Sequence, residues 1–198
     1  MTDGPLLWYL NRGSGVVALV LLTATTVLGV LALDGRPGTR VPRFVVQAVH
    51  RNVALLAVLT LAAHVATAVL DEFVDIRWWQ AALPFTAGYE RVWLGLGALG
   101  LDLVVVVVVT SLLRDRLSRR TWYALHQSTY LLWLSSILHG AGMGTDLAGP
   151  QWPVTVACAG AVAAAATWRL VRAALRRRTG PSEPATDPAM TMPLRRIP

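Results

Sequence analysis

The sequence contains no lysine: its 18 basic residues are all arginine, set against 11 acids. It has a single cysteine, Cys158, inside an Ala/Val run. That excludes a disulfide framework and a thiolate metal site, and leaves a small packing residue. Charge of either sign is scarce, at 15% of 198 residues, whereas 55% are hydrophobic. A soluble domain carries nearer a quarter charged residues. A water-soluble globule is therefore excluded, and so is a largely disordered chain, because apolar burial is plentiful. The net charge of +7 reads as loop charge that orients a membrane protein, and not as a nucleic-acid surface.

What the chain has instead is long apolar runs. Spanning the hydrocarbon takes about 20 mostly apolar residues. Five stretches qualify, at 15–33, 45–70, 92–113, 121–140 and 153–175. The expected fold is an all-α integral membrane protein, a bundle of about five transmembrane helices. The β-branched run Val104–Val109 reads as helix too, since lipid tolerates only internally satisfied backbone. The first stretch reads as a span and not a signal peptide, because its apolar part is long and no basic region leads it.

Arginine alternates between the loops. Arg36, Arg40, Arg43, Arg114, Arg116, Arg119, Arg120, Arg169, Arg172, Arg176, Arg177 and Arg178 fall on one side, and Arg12, Arg77 and Arg91 on the other. The positive-inside rule places the N-terminus outside and the C-terminus in the cytoplasm of a multi-pass plasma-membrane protein. Trp8, Tyr9, Trp78, Trp79, Trp93, Trp122 and Trp152 lie near span ends, as an aromatic belt does. The domain reading is an outer interfacial segment over 1–14, a membrane domain over 15–178, and a disordered cytoplasmic tail over 179–198.

All four histidines sit in spans: His50 and His64 on the second, His126 and His139 on the fourth. Both spans run from cytoplasm to outside, so His50 is level with His126, and His64 with His139. Facing imidazoles at two depths are what two bis-histidine haems require. Zinc fits poorly, because four ligands would have to meet at one point. The fourteen residues from His50 to His64 rise about 21 Å and turn about 1400°, which leaves both on one face. The thirteen from His126 to His139 turn about 1300°, which leaves them about 140° apart on an ideal helix. Local tightening, a kink near Ser135–Ser136, or rotated haem planes would absorb the difference. The plainer alternative is polar glue between helices.

These residues resemble the ferric-reductase-like transmembrane domain, the family of NADPH oxidases, ferric reductases and the haem subunit of methionine sulfoxide reductase systems. The likeness is carried by Val49-His50-Arg51-Asn52 through Ala63-His64, by Leu94-Gly95-Leu96-Gly97 through Thr110-Ser111-Leu112, and by Trp122-Tyr123-Ala124-Leu125-His126 through Leu138-His139-Gly140. It covers most of residues 5–150. The resemblance implies two haem b groups, the inner iron on His50 and His126 and the outer on His64 and His139. It implies electron entry from the cytoplasm and exit outside. No Gly-rich dinucleotide fingerprint follows the last span. A separate donor is therefore expected, a flavoprotein, a ferredoxin-type reductase or a membrane quinol. The acceptor is a ferric chelate, a redox protein or oxygen.

Haem propionates need cationic partners. Arg51, beside a ligand, is the first candidate. Arg43, Arg119 and Arg120 lie at the inner depth and Arg77 and Arg91 at the outer, where lipid headgroup contact is an equal reading. Asp102, mid-span, is expected to make a structural hydrogen bond, with a haem-ligand partner or proton relay as alternatives. Ser128, Thr129, Ser135 and Ser136 are expected to serve helix packing. Trp133 and Tyr130 lie between the haem depths and are expected to pack against porphyrin edges. The competing function is a small transporter or proton channel that uses the histidines and Asp102 without haem. A further one is an anchor subunit that only packs against a partner.

Overall fold

The computed structural model describes residues 4–32, 42–71, 76–144 and 151–178. Regular structure among the described residues is entirely helical. The elements are α1 (Gly4–Ala32), α2 (Arg43–Leu70), α3 (Trp78–Ala82), α4 (Arg91–Leu112), α5 (Arg119–His126), α6 (Ser128–Met143) and α7 (Trp152–Arg178), with a 3-10 turn at Arg114–Arg116. Four of them, α1, α2, α4 and α7, are long and apolar enough to cross a membrane. The valine run lies within α4. Its side chains cannot select a strand when every backbone group has to be bonded within its own segment.

α1 begins at Gly4, so from that residue the segment read as interfacial is helical and continuous with the first long helix. One expectation is revised. The stretch expected as one span over 121–140 is two helices, α5 and α6, that meet at Gln127. Gln127 keeps nearly helical angles, φ −66° and ψ −18°. Its carbonyl accepts from the Tyr130 N–H at 3.1 Å, a tightened i→i+3 bond. The Ser128 hydroxyl donates to the Leu125 carbonyl at 2.7 Å and the Thr129 hydroxyl to the His126 carbonyl at 2.8 Å. Ser128 and Thr129 thus serve the junction, while Ser135 and Ser136 lie against Gly100 of α4 and pack the helices as expected. The expected tail, 179–198, lies outside the described residues, as do Arg36, Arg40 and Asp146.

α1 packs most extensively on α2 and α4 on α6, with α1 also touching α6 and α7. α2 has almost no backbone contact with α6, so side chains bridge the space between them. A buried layer of Leu22, Ala57, Val104 and Leu132 fills mid-depth, flanked by Leu21, Val58, Leu61 and Trp133. Ala57 stands seven residues from both His50 and His64. The opposite face of α2 carries exposed Leu55, Leu56 and Leu59, a surface for lipid.

One polar link crosses this apolar middle. Trp133 Nε1 donates to the buried Thr23 hydroxyl at 2.9 Å. Thr23→Val keeps the volume and orphans the indole N–H, for an expected loss of about 1–2 kcal/mol. A lowered melting temperature in detergent with unchanged helix content is the expected result. An unchanged melting temperature counts against it.

Candidate functional site

The four histidines meet as two pairs. His50 and His126 have ring centroids 6.4 Å apart with planes at 62°, and His64 and His139 are 6.3 Å apart at 76°. Each pair joins α2 to the α5–α6 segment across the space their backbones leave open. The break at Gln127 explains why both pairs form. His126 ends α5 and His139 lies on α6, so the angle of about 140° on an ideal helix is never imposed. Among the described residues no three His, Cys, Asp or Glu side chains converge on one point.

Glycines seat three of the four rings. A Cβ on Gly15 would lie 2.9 Å from His64 Cε1, and one on Gly97 2.7 Å from His139 Cε1 and Nδ1. Each bare patch gives the ring a backbone carbonyl four residues earlier in the same helix. His64 Nδ1 meets the Asn11 carbonyl at 2.9 Å, and His139 Nδ1 the Trp93 carbonyl at 2.8 Å. A carbonyl only accepts, so in both rings Nδ1 carries the proton. The neutral imidazole then keeps a free lone pair on Nε2, the tautomer that binds a metal. The Asn11 side chain ties the arrangement down, donating to the His64 carbonyl at 2.9 Å.

At the other depth the same device is looser. A Cβ on Gly29 would stand 3.6 Å from His50 Cε1. His50 Nδ1 faces the Thr25 carbonyl, again four residues before the glycine, without closing a full hydrogen bond. No described glycine lies against His126. Its ring stacks on Trp122 at 4.9 Å and 17°, and its Nδ1 is buried with no hydrogen-bond partner among the described residues.

Gly15 and Gly29 are fourteen residues apart on α1, as His50 and His64 are on α2. Gly15 meets His64 and Gly29 approaches His50, so the helices run antiparallel with matched periods. That match was available in the sequence as a signal. Trp93 and Trp122, read as belt residues, also serve the histidines: the Trp122 ring stacks on His126, while Trp93 lays its ring on Gly142 and offers its backbone carbonyl to His139.

The other candidates separate by position. Arg51, Arg119 and Arg120 are exposed. Arg91 donates through Nε to the Phe85 carbonyl at 2.6 Å, so it holds the loop that leads into α4. Arg77 starts α3, its backbone N–H bonded to the Gln80 side chain at 2.9 Å. Asp102 makes no hydrogen bond to a described residue, so the expected structural bond is absent there. The histidine rings are oriented by the Asn11 and Trp93 carbonyls, not by a carboxylate.

The arrangement suits a metal held from two sides. A metal–imidazole bond of about 2 Å, with about 1 Å more to each ring centre, would let two imidazoles hold one metal between them with ring centres up to roughly 6 Å apart. Both pairs show that separation. Residues 14–137 match the family described as ferric reductase like transmembrane component. The match takes in His50, His64 and His126 and stops two residues before His139. Comparison with curated proteins and with solved structures returned no match.

Proposed function

The chain belongs to the ferric-reductase-like transmembrane family, and on that premise we propose that it conducts electrons across a membrane through two bis-histidine b-type haems. The observation that carries this is the pair of imidazole separations, 6.4 and 6.3 Å, at two depths. His50 and His126 would hold the inner haem, His64 and His139 the outer. Haem iron supplies reversible one-electron exchange when bound. The protein's part is to fix the ligands, set the tautomer at the outer pair, and keep water out. The buried layer of Leu22, Ala57, Val104 and Leu132 separates the two levels. Arg51 remains the proposed propionate partner at the inner haem, its exposure matching a headgroup-level carboxylate.

α5 and α6 together cross the bilayer in this reading, which gives five spans. The arginine asymmetry sets the N-terminus outside and the C-terminus in the cytoplasm of a plasma-membrane protein. Electrons enter from a cytoplasmic flavoprotein, a ferredoxin-type reductase or a membrane quinol. They leave to an extracytoplasmic acceptor: a ferric chelate, a redox protein or oxygen. A proton relay is the weaker reading, since among the described residues Asp102 has no hydrogen bond to link it to either pair.

The test is the chain purified in detergent after expression with ample haem. The expected result is a red preparation with a low-spin b-type spectrum, reducible by dithionite, and haem near two per chain. Colourless protein, or haem of one per chain or less, overturns the proposal.

A further inference from the structure

Three of the histidines rest against glycine, and the fourth is held differently. Fourteen residues beyond Gly97 on α4, where the period of the other notches calls for a glycine, stands Ser111. His126 lies instead on the indole of Trp122, one helical turn earlier in α5, at 4.9 Å and nearly parallel. The same indole carries the Arg114 guanidinium at 4.8 Å from its centre. Arg114 comes from the 3-10 turn that closes α4, so the stack ties the end of one long helix to the first ligand of the next.

We infer that Trp122, with Arg114 against its ring, is the positioning element for His126, standing where His64 and His139 have a glycine and a backbone carbonyl. The inference rests on the haem reading above. Its physical content is threefold. His126 Nδ1 has no hydrogen bond among the described residues to set its rotation, so ring-on-ring contact is what they offer to fix the plane. Position alone leaves α5 short of constraint, because it is an eight-residue helix, started by Ser118 accepting from the Thr121 N–H at 3.1 Å. The guanidinium holds the indole from the α4 side by cation–π attraction. It also brings a positive charge near the inner site, which favours the reduced state of a metal bound there.

The experiment uses the full chain in detergent, with haem stoichiometry, redox titration and the EPR signal of each haem as readouts. Trp122→Ala is expected to lose the inner haem, or to change its EPR signal and midpoint potential, with the outer haem unchanged. Trp122→Phe, which keeps an aromatic face, is expected to restore the inner signal. Arg114→Gln is expected to keep both haems and lower the inner potential alone. Trp168→Ala is the control: Trp168 bears Arg172 at 4.5 Å on α7, a helix that supplies none of the four histidines, and its loss is expected to move neither haem. Should the alanine variant fail to fold, Trp122→Leu decides by the same readouts. Two haems with wild-type signals and potentials in the alanine or leucine variant overturn the inference. Absence of haem from the wild-type chain overturns the functional reading instead, and is seen before any variant is made.

Discussion

His139→Ala is expected to leave a chain that keeps one haem of two, with the outer one gone and the inner one retaining its low-spin spectrum. His64→Ala is expected to do the same, whereas His50→Ala and His126→Ala remove the inner haem and spare the outer. The independence follows from the architecture. The two levels are separated by fourteen residues of α2, about 21 Å of helix, and by a packed layer that includes Ala57 and Leu132. Neither pair shares a side chain with the other. Nδ1 of each outer ring is bonded to its own carbonyl, on α1 for His64 and on α4 for His139. Removing one imidazole leaves its partner seated. Haem per chain by pyridine haemochromogen, with EPR to say which signal survives, is the measurement. Equal loss of both haems from each single substitution would show the pairing to be wrong.

Much of this arrangement is legible in the residue order, and its limits have physical causes. Apolar length and arginine alternation are one-dimensional properties, so the long helices and the depth of each histidine follow from counting. The pairing of levels needs only that the second and fourth stretches run in the same direction. Geometry between helices is another matter. Gly15, Gly29 and Gly97 look like ordinary small residues of membrane helices until it is known which neighbour each one faces. Their role depends on antiparallel register between α1 and α2, which no single helix encodes. The junction at Gln127 is hidden for a related reason. Gln, Ser and Thr are tolerated within membrane helices, and it takes the Tyr130 N–H bond to the Gln127 carbonyl, with the hydroxyl bonds to the Leu125 and His126 carbonyls beside it, to reveal that the helix has tightened there. Counting places a thirteen-residue gap between one pair of histidines beside a fourteen-residue gap between the other; the break supplies the reason that both reach across the same space. The stack of Trp122 on His126 was not legible, because an aromatic near a span end serves headgroups or a buried ring equally well by position alone.

Gly97→Ala is expected to weaken the outer haem while leaving the fold as stable as before, or more so. The added methyl would stand 2.7 Å from two atoms of the His139 ring, closer than the ring can remain. α4 is backbone-rigid there, so the ring must move, and it gives up the 2.8 Å bond from Nδ1 to the Trp93 carbonyl. Loss of such an orienting partner costs about 10–100-fold in metal affinity. The helix itself gains, since alanine is favoured over glycine in a helix interior by about 1 kcal/mol. Gly15→Ala is expected to act in the same direction through His64, more weakly, because its nearest approach is 2.9 Å. Gly29→Ala supplies the contrast. Its methyl would meet His50 Cε1 at 3.6 Å, an ordinary contact, and the inner haem is expected to remain at wild-type occupancy. Transfer of haem to an excess of apomyoglobin, followed against the melting temperature of the same samples, separates the two effects. Faster loss of the outer haem from the Gly97 variant at undiminished thermal stability is the expected pattern. A Gly97 variant that holds haem as tightly as wild type, or a Gly29 variant that loses it equally, would mean that the glycines serve helix packing and leave the imidazoles to seat themselves.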